Sequence, residues 1–176
     1  MNFIHIPKAA GSSLLNMEGF NDNFVYCGHN KAESPSLAIT KHPYDRLISA
    51  YVYLMNGGGQ NALDFRYQNI LSMYSGFKQF VFSIIHDNLT EKIIHIRPMS
   101  YFVCDNGKIT CDHVFKIEKV GEIDDFLTTL GMGKLSEKFV NMTETEHYTN
   151  YLDRWTLDEI NKVYAKDFEL FGYKTI

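Results

Sequence analysis

The stretch from Asn2 to Leu15, N-F-I-H-I-P-K-A-A-G-S-S-L-L, constrains the chain more than any other. Phe3, Ile4 and Ile6 form an apolar run suited to a short buried strand, and Ala9, Ala10 and Gly11 strip side-chain bulk from the loop after it. Ser12 or Ser13 is placed to cap a helix that opens there. A strand, a small-residue loop and a helix in that order turn several backbone N–H groups toward one anion, with the positive end of the helix dipole behind them. Lys8 adds a full charge. In the Walker loop, G-x-x-x-x-G-K-[ST], the lysine follows the glycines and stands beside a magnesium-binding hydroxyl. Here lysine precedes the glycine, which disfavours an ATPase or GTPase of the usual kind. Taken alone, the string fits an ordinary strand-to-helix turn equally well, so a second feature must support it.

That feature is Ile39 to Tyr51, I-T-K-H-P-Y-D-R-L-I-S-A-Y, where another strand runs into another helix across His42-Pro43. Lys41 is expected to end the strand, with Pro43 in the first helical turn, where its missing N–H costs nothing. Tyr44, Leu47, Ile48, Tyr51 and Met55 are spaced as a core-facing stripe. Asp45, Arg46 and Ser49 fall together on another face, so the helical period points Ser49 away from the core.

The remaining chain suggests strands alternating with helices. Phe24–Cys27 is a second short strand ending in a loop at Gly28-His29-Asn30. Helical patterns surround Phe65–Tyr74 and Phe77–Ile85 after the break at Gly57-Gly58-Gly59. Asn106-Gly107 is a two-residue hairpin turn between Tyr101–Cys104 and Lys108–Cys111, which sets Cys104 opposite Ile109. Val114–Ile117 is a buried-type strand and Ile123–Leu130 a short helix. Thr156-Leu157-Asp158-Glu159 has the form of a capping box opening a last helix that ends near Phe168. This order implies an α/β fold with a parallel sheet and helices on both faces, and ligands at the carboxyl ends of its strands. Lys8, His29 and Lys41 all follow strands there. No repeat or linker divides the 176 residues, so a single domain over 1–176 is expected.

The net charge of −4 argues against a general nucleic-acid binder. The first strand begins almost at once, so no signal peptide is expected, and no apolar run is long enough to span a bilayer. A soluble, cytoplasmic protein without a membrane partner is expected. The 3 cysteines, Cys27, Cys104 and Cys111, are too few for a disulfide framework, so reduced thiols are expected. Nothing in the sequence forms a convincing metal cluster.

With both motifs in view, the chain resembles the sulfotransferases that use 3′-phosphoadenosine 5′-phosphosulfate (PAPS), and within them the carbohydrate branch. P-K-A-A-G-S-S resembles their 5′-phosphosulfate loop and K-H-P-Y-D-R-L-I-S-A-Y their 3′-phosphate motif. Fainter similarity runs through F-K-I-E at Phe115 to Glu118 and Y-A-K-D-F-E-L-F-G-Y at Tyr164 to Tyr173. The resemblance implies a P-loop-NTPase-like sheet, PAPS as donor, and in-line transfer of a sulfuryl group to a hydroxyl acceptor on a glycan or small molecule. It implies that Lys8 steadies the bridging oxygen, that Lys8, Ala9, Ala10, Gly11, Ser12 and Ser13 surround the 5′-phosphosulfate, and that Lys41 and Ser49 hold the 3′-phosphate. His29 matches the place of a proposed catalytic histidine and would accept the hydroxyl proton. His95, in His95-Ile96-Arg97-Pro98, is similar to an H-x-x-P element of chondroitin-type enzymes and is the second functional histidine, on the substrate side. Glu118 is a third candidate base if burial raises its pKa. Phe65, Tyr67 and Tyr74 lie where the family shapes its acceptor site, although core packing suits them better.

The chain departs from the family at Lys41, usually arginine: the charge is kept and the planar, two-pronged fork is lost. Arg46 also matches a family position, but an intramolecular ion pair suits it better. A sulfuryl group carries less charge than a γ-phosphoryl, so fixed donors and one lysine can replace the metal that kinases need. Two other readings stay open, a nucleotide-dependent phosphoryl transferase and a non-catalytic descendant that binds a nucleotide or glycan.

Overall fold

The structure is a computed structural model that describes residues 1–28, 33–141 and 151–176. In chain order the elements are β1 (Asn2–Ile4), α1 (Gly11–Leu15), α2 (Phe20–Asn23), β2 (Val25–Cys27), β3 (Ser36–Thr40), α3 (Pro43–Met55), α4 (Ala62–Leu71), α5 (Phe77–His86), α6 (Leu89–Lys92), α7 (Ser100–Val103), β4 (Cys104–Asp105), β5 (Lys108–Ile109), β6 (His113–Lys116), α8 (Val120–Thr129), α9 (Arg154–Val163) and α10 (Ala165–Phe171). They pack as two compact units. The described residues of Met1–Lys41 and Met99–Glu144 form the first, and those of His42–Pro98 and Thr145–Ile176 the second.

The first unit is built on a 4-stranded sheet in the order β2-β1-β3-β6, with every pair parallel. Helices flank it, as the alternating pattern implies. β1 takes the centre because its neighbours are drawn from both sides: Phe3 pairs with Tyr26 of β2 and with Leu37 of β3. All of β3 is buried, the signature of a strand covered on both faces. Asp112 ties the entry of β3 to that of β6. Its carboxylate accepts the Ser36 N–H at 2.8 Å and the Ser36 hydroxyl at 2.7 Å, and those donors hold its pKa below the ordinary carboxylate value. At the other end of the strand, the Thr40 hydroxyl donates to the Phe115 carbonyl at 3.1 Å, immediately before Lys41. Phe3, Leu14, Phe20, Phe24, Leu37, Ile39, Ile123 and Leu127 fill the core, each burial contributing about 1.5–3 kcal/mol.

The first unit also holds a separate 2-stranded sheet, the β4–β5 hairpin. Asn106 and Gly107 both have positive φ, 47° and 81°, as a type I′ turn requires, and Cys104 faces Ile109 as expected. The hairpin is shorter than the sequence suggests because Ser100–Val103 is helical. Met99, Phe102 and Val103 are buried at helical spacing, so burial of that stripe outweighs the β-propensity of the segment.

The second unit is helical, with a core of Tyr44, Leu47, Ile48, Leu54, Tyr67, Phe80, Ile84, Ile93, Ile160, Tyr164 and others. α3 spans Pro43–Met55 with Pro43 in its first turn, as expected. Arg46 lies off the expected apolar stripe of α3 and is buried nonetheless. It is only 2% exposed, and its Nη1 donates to the Arg97 carbonyl at 2.7 Å. Burial pulls its pKa below the ordinary arginine value, against the opposing pull of Tyr164 and Asp167. The last helical region also differs: α9 begins at Arg154 with Asp153 as N-cap and Thr156 as its reciprocal partner, and a break at Tyr164 separates it from α10. The expected capping box lies one turn too late because Asp153 accepts the Thr156 N–H at 2.8 Å, closing the box upstream. No helix among the described residues is long and apolar enough to cross a membrane.

Candidate functional site

The loop after β1 holds most of the residues that the sequence singles out. Ile6 ends the apolar run, the Ala9 N–H donates to its carbonyl at 3.3 Å, and α1 starts at Gly11. Lys8 and Ala10, neither of them glycine, are left-handed with φ of 66° and 65°. Such conformations cost on the order of 1–3 kcal/mol each and collect at ligand-binding sites. Ala10 is the N-cap of α1 without a side-chain cap bond, so the expected capping by Ser12 or Ser13 is not what occurs. The helix starts earlier than that, and both serines fall within its first turn. The N–H groups of Gly11 and Ser12, at the first two helical positions, have no acceptor within the helix. Ala10 is left-handed and Gly11 helical, a backbone sequence in which successive N–H groups can turn to one side, as they do where loops accept anions. Ala9 is buried, Lys8 and Ala10 are partly buried, and Ser12 is exposed.

Lys41 follows β3 directly, partly buried, and its N–H donates to Met99 Sδ at 3.5 Å. β1 and β3 are parallel neighbours, while β2 lies on the other side of β1. The chain therefore leaves β1 in one direction and returns on the opposite side, which makes the carboxyl edge of β1 and β3 the topological switch point where open α/β sheets bind ligands. Lys8 and Lys41 both issue from that edge.

Of the other sequence candidates, Ser49 is half-buried in α3 of the second unit. His29 lies outside the described residues. His95, also in the second unit, sits in a short 3-10 turn between the rings of Tyr53 and Tyr67, with Nε2 3.8 Å from Asp64 Oδ1. Asp64 is buried and accepts from the Tyr53 hydroxyl at 2.9 Å, the Gly59 N–H at 2.8 Å and Asn61 Nδ2 at 2.8 Å. Burial acts to raise its pKa, but the Gly59 and Tyr53 donors, His95 and Asn61 together bring it below the ordinary value. This cluster folds the glycine loop onto α4. Gly58 is left-handed at φ +59°, and a Cβ there would come within 2.7 Å of Asp64. Glu118 is exposed in a turn after β6, which removes the burial its use as a base requires. Tyr67 is a core residue, Phe65 is exposed, and Tyr74 donates to Asp87 at 2.8 Å.

Sequence reasoning passed over His5 and Tyr26. The imidazole of His5 packs on the Tyr26 ring and places its Nδ1 3.3 Å from the Tyr26 hydroxyl. The far edge of the same imidazole abuts Gly11, where any Cβ would overlap Cδ2 and Nε2. A glycine required at the start of a helix was the available signal.

Comparison with known proteins agrees with this arrangement. A model of the sulfotransferase family matches residues 1–174. The curated proteins and the solved structures yielded no match. A family match over nearly the whole length, carried by a chain with a parallel sheet, means that the chain belongs to the sulfotransferase family.

Proposed function

We propose that this sulfotransferase takes its sulfuryl group from PAPS and delivers it to a hydroxyl acceptor, most readily on a carbohydrate. The observation that carries this reading is the strained loop at Lys8 and Ala10, which opens onto α1 beside the strand end that bears Lys41. What supports a phosphate here is that Ala9, Ala10 and Gly11 present little side-chain bulk and that the left-handed turn at Ala10 into α1 is a backbone form that gathers N–H groups around an anion. PAPS, when bound, supplies a sulfuryl group on a phosphate leaving group.

Within this reading the N–H groups of Gly11 and Ser12 and the hydroxyls of Ser12 and Ser13 bind the 5′-phosphate. The Lys8 ammonium offsets the negative charge that grows on the bridging oxygen, a contribution made where charge develops and thus strongest in the transition state. Lys41 binds the 3′-phosphate as a point charge, and Ser49 is its partner by motif. His29, also by motif, takes the acceptor's hydroxyl proton on an imidazole nitrogen.

Thermal unfolding with adenosine 3′,5′-bisphosphate, or with ATP and magnesium, tests the donor assignment. A ligand that binds only the native state, at ~100 times its dissociation constant, adds about 2.7 kcal/mol. The bisphosphate is expected to stabilise the fold and ATP to do markedly less. Stabilisation by ATP with magnesium alone would replace this reading with a phosphoryl transferase.

A further inference from the structure

We infer that His5, anchored by Tyr26, is a positioning residue that sets the shape of the anion loop by bridging its two ends. The inference rests on the PAPS donor reading and adds a residue that no motif in the chain identifies.

The loop leaves the sheet at His5 and enters α1 at Gly11, and these two residues meet. His5 is fixed to β2 twice. Its N–H donates to the Cys27 carbonyl at 2.9 Å, and its Nδ1 lies 3.3 Å from the Tyr26 hydroxyl, with the two ring centroids 5.6 Å apart. On its inner side the ring packs against Phe3, centroids 6.0 Å apart. That leaves the Cδ2–Nε2 edge facing Gly11, so close that with the ring held there only a residue without Cβ fits. The gap between the strand end and the first helical N–H groups is therefore one imidazole wide.

The chain between those ends has to close over this fixed span, and it does so through the left-handed residues Lys8 and Ala10. A loop held in its binding shape before the ligand arrives loses less freedom on binding, which raises affinity without any contact between His5 and the ligand. Tyr26 is 54% exposed on the edge strand, so its hydroxyl contributes little to the core and its removal reports on the anchor.

The test is calorimetric titration of wild type and variants with adenosine 3′,5′-bisphosphate and with adenosine 3′-monophosphate, which lacks the group held by the loop. Tyr26→Phe keeps the ring contact and removes the hydroxyl. It is expected to weaken the bisphosphate about threefold, the lower range for one hydrogen bond, with the monophosphate almost unaffected. Gly11→Ala is expected to weaken the bisphosphate about tenfold or more, ~1.4 kcal/mol, again sparing the monophosphate. Adding His5→Ala to Gly11→Ala removes the overlap, so the double variant should bind no worse than His5→Ala alone.

Equal losses for both ligands, or additive losses in the double variant, would make His5 an ordinary packing residue. If Gly11→Ala fails to fold, Tyr26→Phe decides the matter, because an unchanged bisphosphate affinity in that variant overturns the inference. Wild type that does not bind the bisphosphate overturns the donor reading and this inference with it. Wild type that binds, alongside indifferent variants, overturns this inference alone.

Discussion

Arg46 points its guanidinium into the helical core and gives Nη1 to the Arg97 carbonyl at 2.7 Å, with Tyr164 and Asp167 acting on its charge. Asp167 is fully buried, so the two charges stand in one dry environment. Removing one partner of such a pair leaves the other uncompensated, at a cost of about 3–5 kcal/mol. Arg46→Ala is expected to lose that much in urea unfolding. If Arg46 instead served the donor, as its motif position suggests, the variant would keep its stability and lose affinity for adenosine 3′,5′-bisphosphate.

Lys41 is expected to distinguish two nucleotides. It follows β3 at the sheet edge and matches the 3′-phosphate motif, so Lys41→Ala should weaken adenosine 3′,5′-bisphosphate by roughly 1.5–3 kcal/mol, the scale of a hydrogen bond to a charged group. Adenosine 5′-phosphosulfate, without a 3′-phosphate, should change little. Equal losses for both would assign Lys41 to another task. Lys41→Arg restores the planar fork and is expected to bind the bisphosphate at least as tightly as wild type.

The two histidines should separate by what they lose. His29→Ala is expected to reduce turnover on a glycan acceptor by about 10²–10⁴, the span of general-base catalysis, with bisphosphate affinity unchanged. His95 packs between Tyr53 and Tyr67 with Nε2 3.8 Å from Asp64, which keeps its other donors, so His95→Gln should retain turnover within a few fold and lower stability by about 0.5–3 kcal/mol through lost packing. A collapse of turnover in His95→Gln, with His29→Ala near normal, reverses the assignment.

Acid stability should expose the start of α9. The Lys78 ammonium, 2.5 Å away, and the Thr156 N–H hold the Asp153 carboxyl at a pKa of about 2, against 3.8 for the free side chain. A depressed folded pKa contributes stability that is full above the unfolded value and is lost as pH falls through the folded value. The stability gap between wild type and Asp153→Ala should thus be constant from about pH 5 upward and should shrink between about pH 4 and pH 2. A gap independent of pH would mean that the variant fails for lack of packing rather than for lack of charge.

Local pattern was enough to recognise much of the molecule. The apolar run before Lys8, the strand that stops just before Lys41, the helix from Pro43 and the Asn106-Gly107 pairing of Cys104 with Ile109 are all written in residues close together in the chain. Backbone preference and hydrophobic period act over such short spans, and the two stretches that resemble sulfotransferase motifs lie within them. What depended on distant segments was not legible. The helical period sets Arg46 opposite the apolar stripe of α3, but it carries no information about whether Arg97, Tyr164 and Asp167 close over that side. The contact of His5 with Gly11 exists because β2 lies beside β1 and Tyr26 turns the imidazole toward the loop, a placement set by strand pairing rather than by any spacing in the chain. Burial and pairing are properties of the assembled fold, and they decide which polar side chains are structural and which remain to bind a donor.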